Sequence, residues 1–188
     1  LLGNPVEVEG VVTADFQGPG GLNGFFIQEE DAEADADPLT SEGIFVFDDA
    51  LGVDVAVGDR VRVAGTVDEF FDETQISNVP AVLVCNSGVL NEVTRTDVNL
   101  PVTDLTELEA LEGMWVRFPQ SLVVSDVFNA VRFGEFVASN GRLYQPTQVA
   151  LPGAPAQAQQ MANDLNRVII DDGRVGANQM PFLPGQDD

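Results

Sequence analysis

The densest chemistry in this 188-residue chain is the run QEEDAEADADPLTSEG, residues 28–43, where Asp31, Glu33, Asp35 and Asp37 stand at alternate positions. A spacing of two lets a loop wrap carboxylate oxygens around one hard cation, and Asp31 to Glu42 has the first-to-twelfth spacing of an EF-hand loop. The expected metal ligands are therefore Asp31, Glu33, Asp35, Asp37 and Glu42. Ca2+ is the expected cofactor, because crowded carboxylates repel one another until a cation or salt relieves them. Ala36 stands where an EF-hand needs glycine, and Pro38 turns the path, so a solvated acidic loop that holds no ion is the alternative. Mg2+ fits less well, since it demands compact octahedral geometry.

No catalytic constellation can be assembled. The chain has neither His nor Lys, and its 8 basic residues are all arginines, the first of them Arg60. Without His the commonest proton-transfer group near neutral pH is missing. Ser41, Ser121 and Ser139 then have no base to activate them. Asp171 and Asp172, before Gly173, read as a turn, because neighbours on an extended chain point apart. There is no phosphate loop, zinc pattern or dinucleotide fingerprint. The chain is expected not to be an enzyme in its own right.

Charge narrows the partners. With 31 acidic residues the formal net charge is -23, a field that repels phosphate backbones and anionic lipid. High acid content without Lys suits a salty external medium, where screening shortens self-repulsion to about 10 Å or less. The sequence starts without Met, carries no signal peptide and has no long apolar run, so it reads as a mature or excised piece with no membrane span. Its one cysteine, Cys85, cannot bridge internally. In the strand-like run VLVC it reads as a small buried apolar residue, with pairing outside this chain left open.

The elements that must position these groups are short β-type runs separated by Gly, Pro, Asn and Asp. Five such runs cover 6–16, 23–30, 42–49, 59–70 and 73–85. In the first, Val6, Val8 and Val12 alternate with Glu7 and Glu9; in the fourth, Val61, Val63 and Val67 alternate with Arg60, Arg62 and Thr66. Gly10 and Gly65 mark bulges or close approaches. Five strands, the first long and interrupted by glycine, predict an all-β fold opening with an OB-fold barrel over 1–100, a sandwich being the competing architecture. Pro101 sits in a linker, and LEGMWVRFPQ (111–120) echoes VEGVVTADFQ (8–17), so a second strand-led unit is expected over 101–188. It has fewer strand candidates, at 132–139, 141–147 and 166–173, and one short helix near 153–165. This predicts a smaller or incomplete OB-like β domain in which Trp115 and Tyr144 help build the core.

OB barrels stack bases on aromatics of the second and third strands, backed by basic groups. Here Phe25, Phe26, Phe45 and Phe47 occupy those strands, most of them as core, and the only nearby cations are Arg60 and Arg62. Phe26, Arg60 and Arg62 are the candidate nucleic-acid contacts, for weak binding only. Phe70 and Phe71 read as a turn anchor, and Arg117, Arg132, Arg142 and Arg167 as surface pairs for the acidic excess.

The ordered segments GVVTADF, GFFIQEED, TSEGIFVF, VGDRVRVAGTVDEF, LEGMWVRFPQSLVV, RFGE, GRLYQPT and NRVIIDDG resemble the OB-fold region of bacterial extracellular nucleases. In that family the region precedes an endonuclease/exonuclease/phosphatase catalytic domain. The resemblance spans nearly the whole chain and implies a secreted, calcium-rich setting and a role in engaging DNA. It transfers no nuclease residue, because that chemistry needs His. The expected role is thus a non-catalytic, calcium-binding module for substrate placement or scaffolding. The alternative is a self-associating extracellular filament or matrix subunit: a homo-oligomer in which strand edges left open at the ends of the chain are completed by another copy.

Overall fold

The computed structural model describes residues 2–35, 37–49 and 51–178. Five strands, β1 (Pro5–Phe16), β2 (Gly24–Gln28), β3 (Gly43–Phe47), β4 (Arg60–Phe70) and β5 (Glu73–Asn86), close a barrel in the order β1-β2-β3-β5-β4. β3 and β5 run parallel and every other pair is antiparallel. This is the five-stranded Greek-key barrel of the OB fold. The strand periods make it so: Val61, Val63 and Val67 are buried while Arg62 and Asp68 face out. Val12, Phe25, Ile27, Val46, Val61, Val63 and Ile76 fill the interior. Each such side chain contributes about 1.5–3 kcal/mol when fully buried.

Gly65 acts as the sequence implies. It lies inside the register shift between Ala64 and Thr66, and a Cβ there would come within 2.3 Å of the Ile76 side chain. Gly10 is a close approach without a bulge: the β1–β2 shift falls at Val12/Ala14, and a Cβ on Gly10 would meet the Gln28 carbonyl at 3.1 Å.

The chain crosses between two compact units at 96/97, 105/106 and 117/118, where the sequence predicted one boundary near 100. The barrel unit takes in Thr106–Arg117, and the other unit takes in Asp97–Leu105. A 3-10 turn (Leu90–Glu92) follows the barrel, then the short elements β6 (Thr96–Asp97), α1 (Thr106–Glu109) and β7 (Val116–Arg117). The long strand expected to open at Glu112 is absent. Residues 110–113 form turns, and Gly113 has φ +69 with its backbone against Gly43, where a Cβ on Gly43 would stand 2.5 Å from Gly113. The echo of the first strand therefore packs back on the barrel. Trp115 goes with it, against Val11, Val89 and Val93 rather than into a second core.

The second unit is a three-stranded antiparallel sheet in the order β10-β9-β8, from β8 (Val123–Asp126), β9 (Phe136–Ser139) and β10 (Arg167–Ile170). Around it run α2 (Ala130–Phe133), α3 (Pro146–Val149) and α4 (Ala154–Leu165). The helix expected near 153–165 is α4, with Pro in its first turn; the two four-residue helices were not expected. Residues 141–147 are not a strand, because Pro146 begins α3. Tyr144 is half exposed rather than core. Val98, Leu100 and Val102 are buried in this unit, and Val102 N donates to Leu165 O at 2.9 Å, so the linker is part of the packing.

Cys85 also departs from expectation: it is free and exposed. Arg60 pairs with Asn86 and Val61 with Val84, so Cys85 is the extra residue of a β-bulge, and the alternation that buries Val82 has ended before it. Among the described residues no helix is long and apolar enough to cross a membrane.

Candidate functional site

The acidic loop joins β2 to β3, and its carboxylates are engaged separately. Asp31 accepts from Thr94 N at 2.8 Å and from Thr94 Oγ1 at 2.6 Å, one contact on each oxygen. Asp35 accepts from Asp37 N at 2.6 Å and from Thr40 Oγ1 at 3.3 Å. Asp37 accepts from Leu39 N at 3.0 Å. Glu33 stands in the first turn, its N donating to Glu30 O at 2.8 Å. Glu42 bonds the Glu29 side chain across the loop base. That bond, then burial, then the charges of Glu42, Glu33 and Glu30 push the Glu29 carboxyl up to about 7. Among the described residues no three acidic groups converge as a metal set. Without an ion, the alternating spacing supplies short-range acceptors for the loop's own amides and hydroxyls.

Next to this loop the barrel's cations are held. Glu30 is 6% exposed and pairs with Arg60, which also pairs with Glu92. Arg62 donates to Glu9 from Nε at 3.1 Å and from a terminal nitrogen at 2.7 Å, with Glu7 at 3.8 Å. Phe26 is half-buried, its ring centroid 4.8 Å from Phe45 and 6.1 Å from Phe16. Phe25 points the other way and is fully buried. The structure therefore brings Phe26 into an aromatic cluster and leaves neither candidate arginine free of carboxylates. A different cation and ring meet elsewhere in the barrel unit: the Arg95 guanidinium lies 4.7 Å from the Trp115 ring, in a shallow cleft that Arg117 also lines.

The remaining candidates are structural. Ser139 is fully buried, 2.5 Å from Ser125 Oγ and donating to Gly141 O at 2.9 Å. Ser41 Oγ donates to Glu112 O at 2.5 Å. Asp171 and Asp172 accept from Gly173 N and Arg174 N at 2.7 and 3.1 Å, as a turn requires. In the second unit Arg167 pairs with Asp164 at 2.9 Å, and Arg142 lies 5.5 Å from the Tyr144 ring.

Sequence reasoning did not find a cleft of about 560 Å³ where the end of β3 meets the β4–β5 hairpin. Phe47, Asp48, Asp49, Asp68, Phe70 and Gln75 line it. These residues are spread over nearly thirty positions and form no run. The only local signal is a cluster of turn-prone acids and amides, and Asp49 and Asn78 there do adopt positive φ, of 45° and 48°. No family model matches the chain, and neither a curated protein nor a solved structure matches it.

Proposed function

We propose that the chain is a non-catalytic OB-fold module of a secreted bacterial protein, of the kind that precedes the catalytic domain in extracellular nucleases. Its role is to scaffold or place that domain rather than to grip DNA. The observation that carries this reading is the closed barrel in OB order whose two arginines, Arg60 and Arg62, are engaged by Glu30, Glu92, Glu7 and Glu9. Nucleic-acid affinity rises with the number of phosphates neutralised by free cations, and these two would first have to leave their partners. A strand of DNA would find its best purchase at Arg95 and Trp115. Calcium belongs to the same proposal: at the 31–42 loop it would replace Thr94 on Asp31 and Thr40 on Asp35.

The test is a fluorescence-anisotropy titration of a labelled single-stranded oligonucleotide at about 150 mM salt, with calcium and then with chelator. Scaffolding predicts dissociation constants of roughly 100 µM or weaker in both. Binding tighter than about 1 µM would make DNA engagement the function.

The filament reading keeps one supporting observation. The barrel is closed, so strand completion there has no edge to use, but β8 and β10 are sheet edges carrying exposed Val123, Val124 and Ile169. Light scattering checks it: particle growth with calcium supports assembly, and a monomer in all conditions ends that reading.

A further inference from the structure

We propose that the cleft between β3 and the β4–β5 hairpin is a binding site for an organic cation, an ammonium or guanidinium group carried on an apolar stem. Its volume of about 560 Å³ lies within the range of small-molecule sites. Asp48, Asp49 and Asp68 line it, and among the described residues no arginine does. A cleft lined by one sign of charge with apolar walls concentrates the opposite ion, because field lines focus where solvent is thin.

The walls choose between kinds of cation. Phe47, Leu51, Phe70 and Val79 give the cleft a substantial apolar surface, and Phe70 is 59% exposed. Ca2+ takes six to eight oxygen ligands and gains nothing from such walls. A guanidinium or alkylammonium gains from both the carboxylates and the rings. Phosphates and nucleic acids are disfavoured by the same three carboxylates.

A second, independent observation points to a guest. Gln75 is 7% exposed and lines the cleft, and its side-chain amide makes no hydrogen bond to another side chain or to the backbone among the described residues. Its amide atoms are not among the buried unpaired ones, so they reach the cleft, where water or a ligand group completes them. The Gln75 carbonyl can accept from a guanidinium whose other N–H groups reach Asp68 or Asp49. By contrast the neighbouring buried Ser77 is already engaged, donating to Asp68 Oδ2 at 3.2 Å.

This inference stands apart from the nuclease-module reading, and DNA binding or its absence leaves it untouched. The experiment is a 15N NMR titration of the whole chain in chelator, at about 150 mM salt to suppress diffuse ion attraction. The probes are agmatine, spermidine and a blocked Gly-Arg-Gly peptide, with methyl glucoside and Ca2+ as separate arms. Agmatine is expected to saturate with a dissociation constant of roughly 10–500 µM, shifting the Gln75 side-chain amide and backbone signals from 47–49, 68–70 and 75–79. Whichever of spermidine and the peptide binds more tightly identifies the source as a free polyamine or a basic side chain of a partner. Asp49→Asn with Asp68→Asn should weaken agmatine about tenfold or more, and Phe70→Ala about two- to fivefold.

Gln75→Met should weaken binding severalfold while leaving the fold intact, read from its melting midpoint, which separates loss of a contact from loss of structure. The proposal is overturned by shifts that scatter over the surface without saturating, which is counter-ion condensation. It is equally overturned if Ca2+ shifts the same signals at lower concentration, or if methyl glucoside binds as well as agmatine.

Discussion

Two acidic regions of one barrel unit, the 31–42 loop and the cleft beside the β4–β5 hairpin, use carboxylates in opposite ways. In the loop the acids stand at alternate positions of one short run, and the nearest donors are the loop's own: Asp37 N, Leu39 N and Thr40 Oγ1, with Thr94 closing on Asp31. In the cleft they come from two places, Asp48 and Asp49 after the end of β3 and Asp68 on β4; Asp48 takes Gln17 and Asp68 takes Ser77, and all three line a space shared with rings and the Gln75 amide. Density of charge along a chain thus says little about convergence in space. A backbone that turns every few residues satisfies its own acids locally, whereas acids brought from the end of β3 and from β4 converge on one cavity even though Asp48 and Asp68 also hold neighbours there.

The comparison can be broken or sharpened in several ways. The largest effect should come at the loop's base, where Arg60 holds the nearly buried Glu30. Arg60→Met leaves that charge uncompensated and should destabilise the chain by about 3 kcal/mol or more, measured by urea unfolding. Arg60→Met with Glu30→Gln should recover much of that loss, and failure to recover would mean the pair is not what matters there.

Calcium is the next largest. At about a hundredfold excess over its dissociation constant, an ion bound only to the folded loop adds about 2.7 kcal/mol. The thermal midpoint should rise with calcium, fall back with chelator, and stop responding in Asp35→Asn with Asp37→Asn. An unchanged midpoint in low salt would leave the loop solvated and ion-free, and the contrast with the cleft would then be complete.

Gln75→Met should change stability by less than about 1 kcal/mol, because it keeps the volume and the amide it removes faces the cleft rather than a sealed interior. A larger loss of stability would show that Gln75 is held by a partner. The smallest effect is in pH dependence. The folded Glu29 carboxyl sits at about 7, above its ordinary value of 4.5, chiefly because its protonated form donates to Glu42. A raised carboxyl favours folding while protonated, so its contribution is full below about 4.5 and is lost as pH rises through about 7. Solvent screening keeps it to about 1 kcal/mol or less. Melting midpoints of Glu42→Gln should therefore fall less steeply than the parent's over that window.

Much of the fold was legible in the sequence, and the reasons are local. Val61, Val63 and Val67 set the β4 period, and Gly65 lies at the bulge that lets β4 and β5 cross Ile76 closely. What could not be read depended on long-range choices. LEGMWVRF carries a strand-like pattern, but Gly113 in the left-handed region folds it against Gly43, and Trp115 joins the barrel. Cys85 looked buried until a one-residue bulge placed it outside. For the site, Phe26, Arg60 and Arg62 were correctly placed on barrel strands, but which carboxylates would reach the arginines was not written in spacing. Gln75 and Asp68 carry no signal at all until the hairpin brings them to Asp49.

The account's central claim is that this barrel presents its surface to cations and not to nucleic acid. One labelled sample tests it, titrated in parallel with agmatine and with a short single-stranded oligonucleotide while backbone and Gln75 side-chain signals are followed. The account predicts saturable shifts around Asp49, Asp68 and Gln75 with agmatine, and none at Phe26, Arg60 or Arg62 with the oligonucleotide. Saturable shifts at Phe26, Arg60 and Arg62 with the oligonucleotide, and a silent cleft with agmatine, would contradict it.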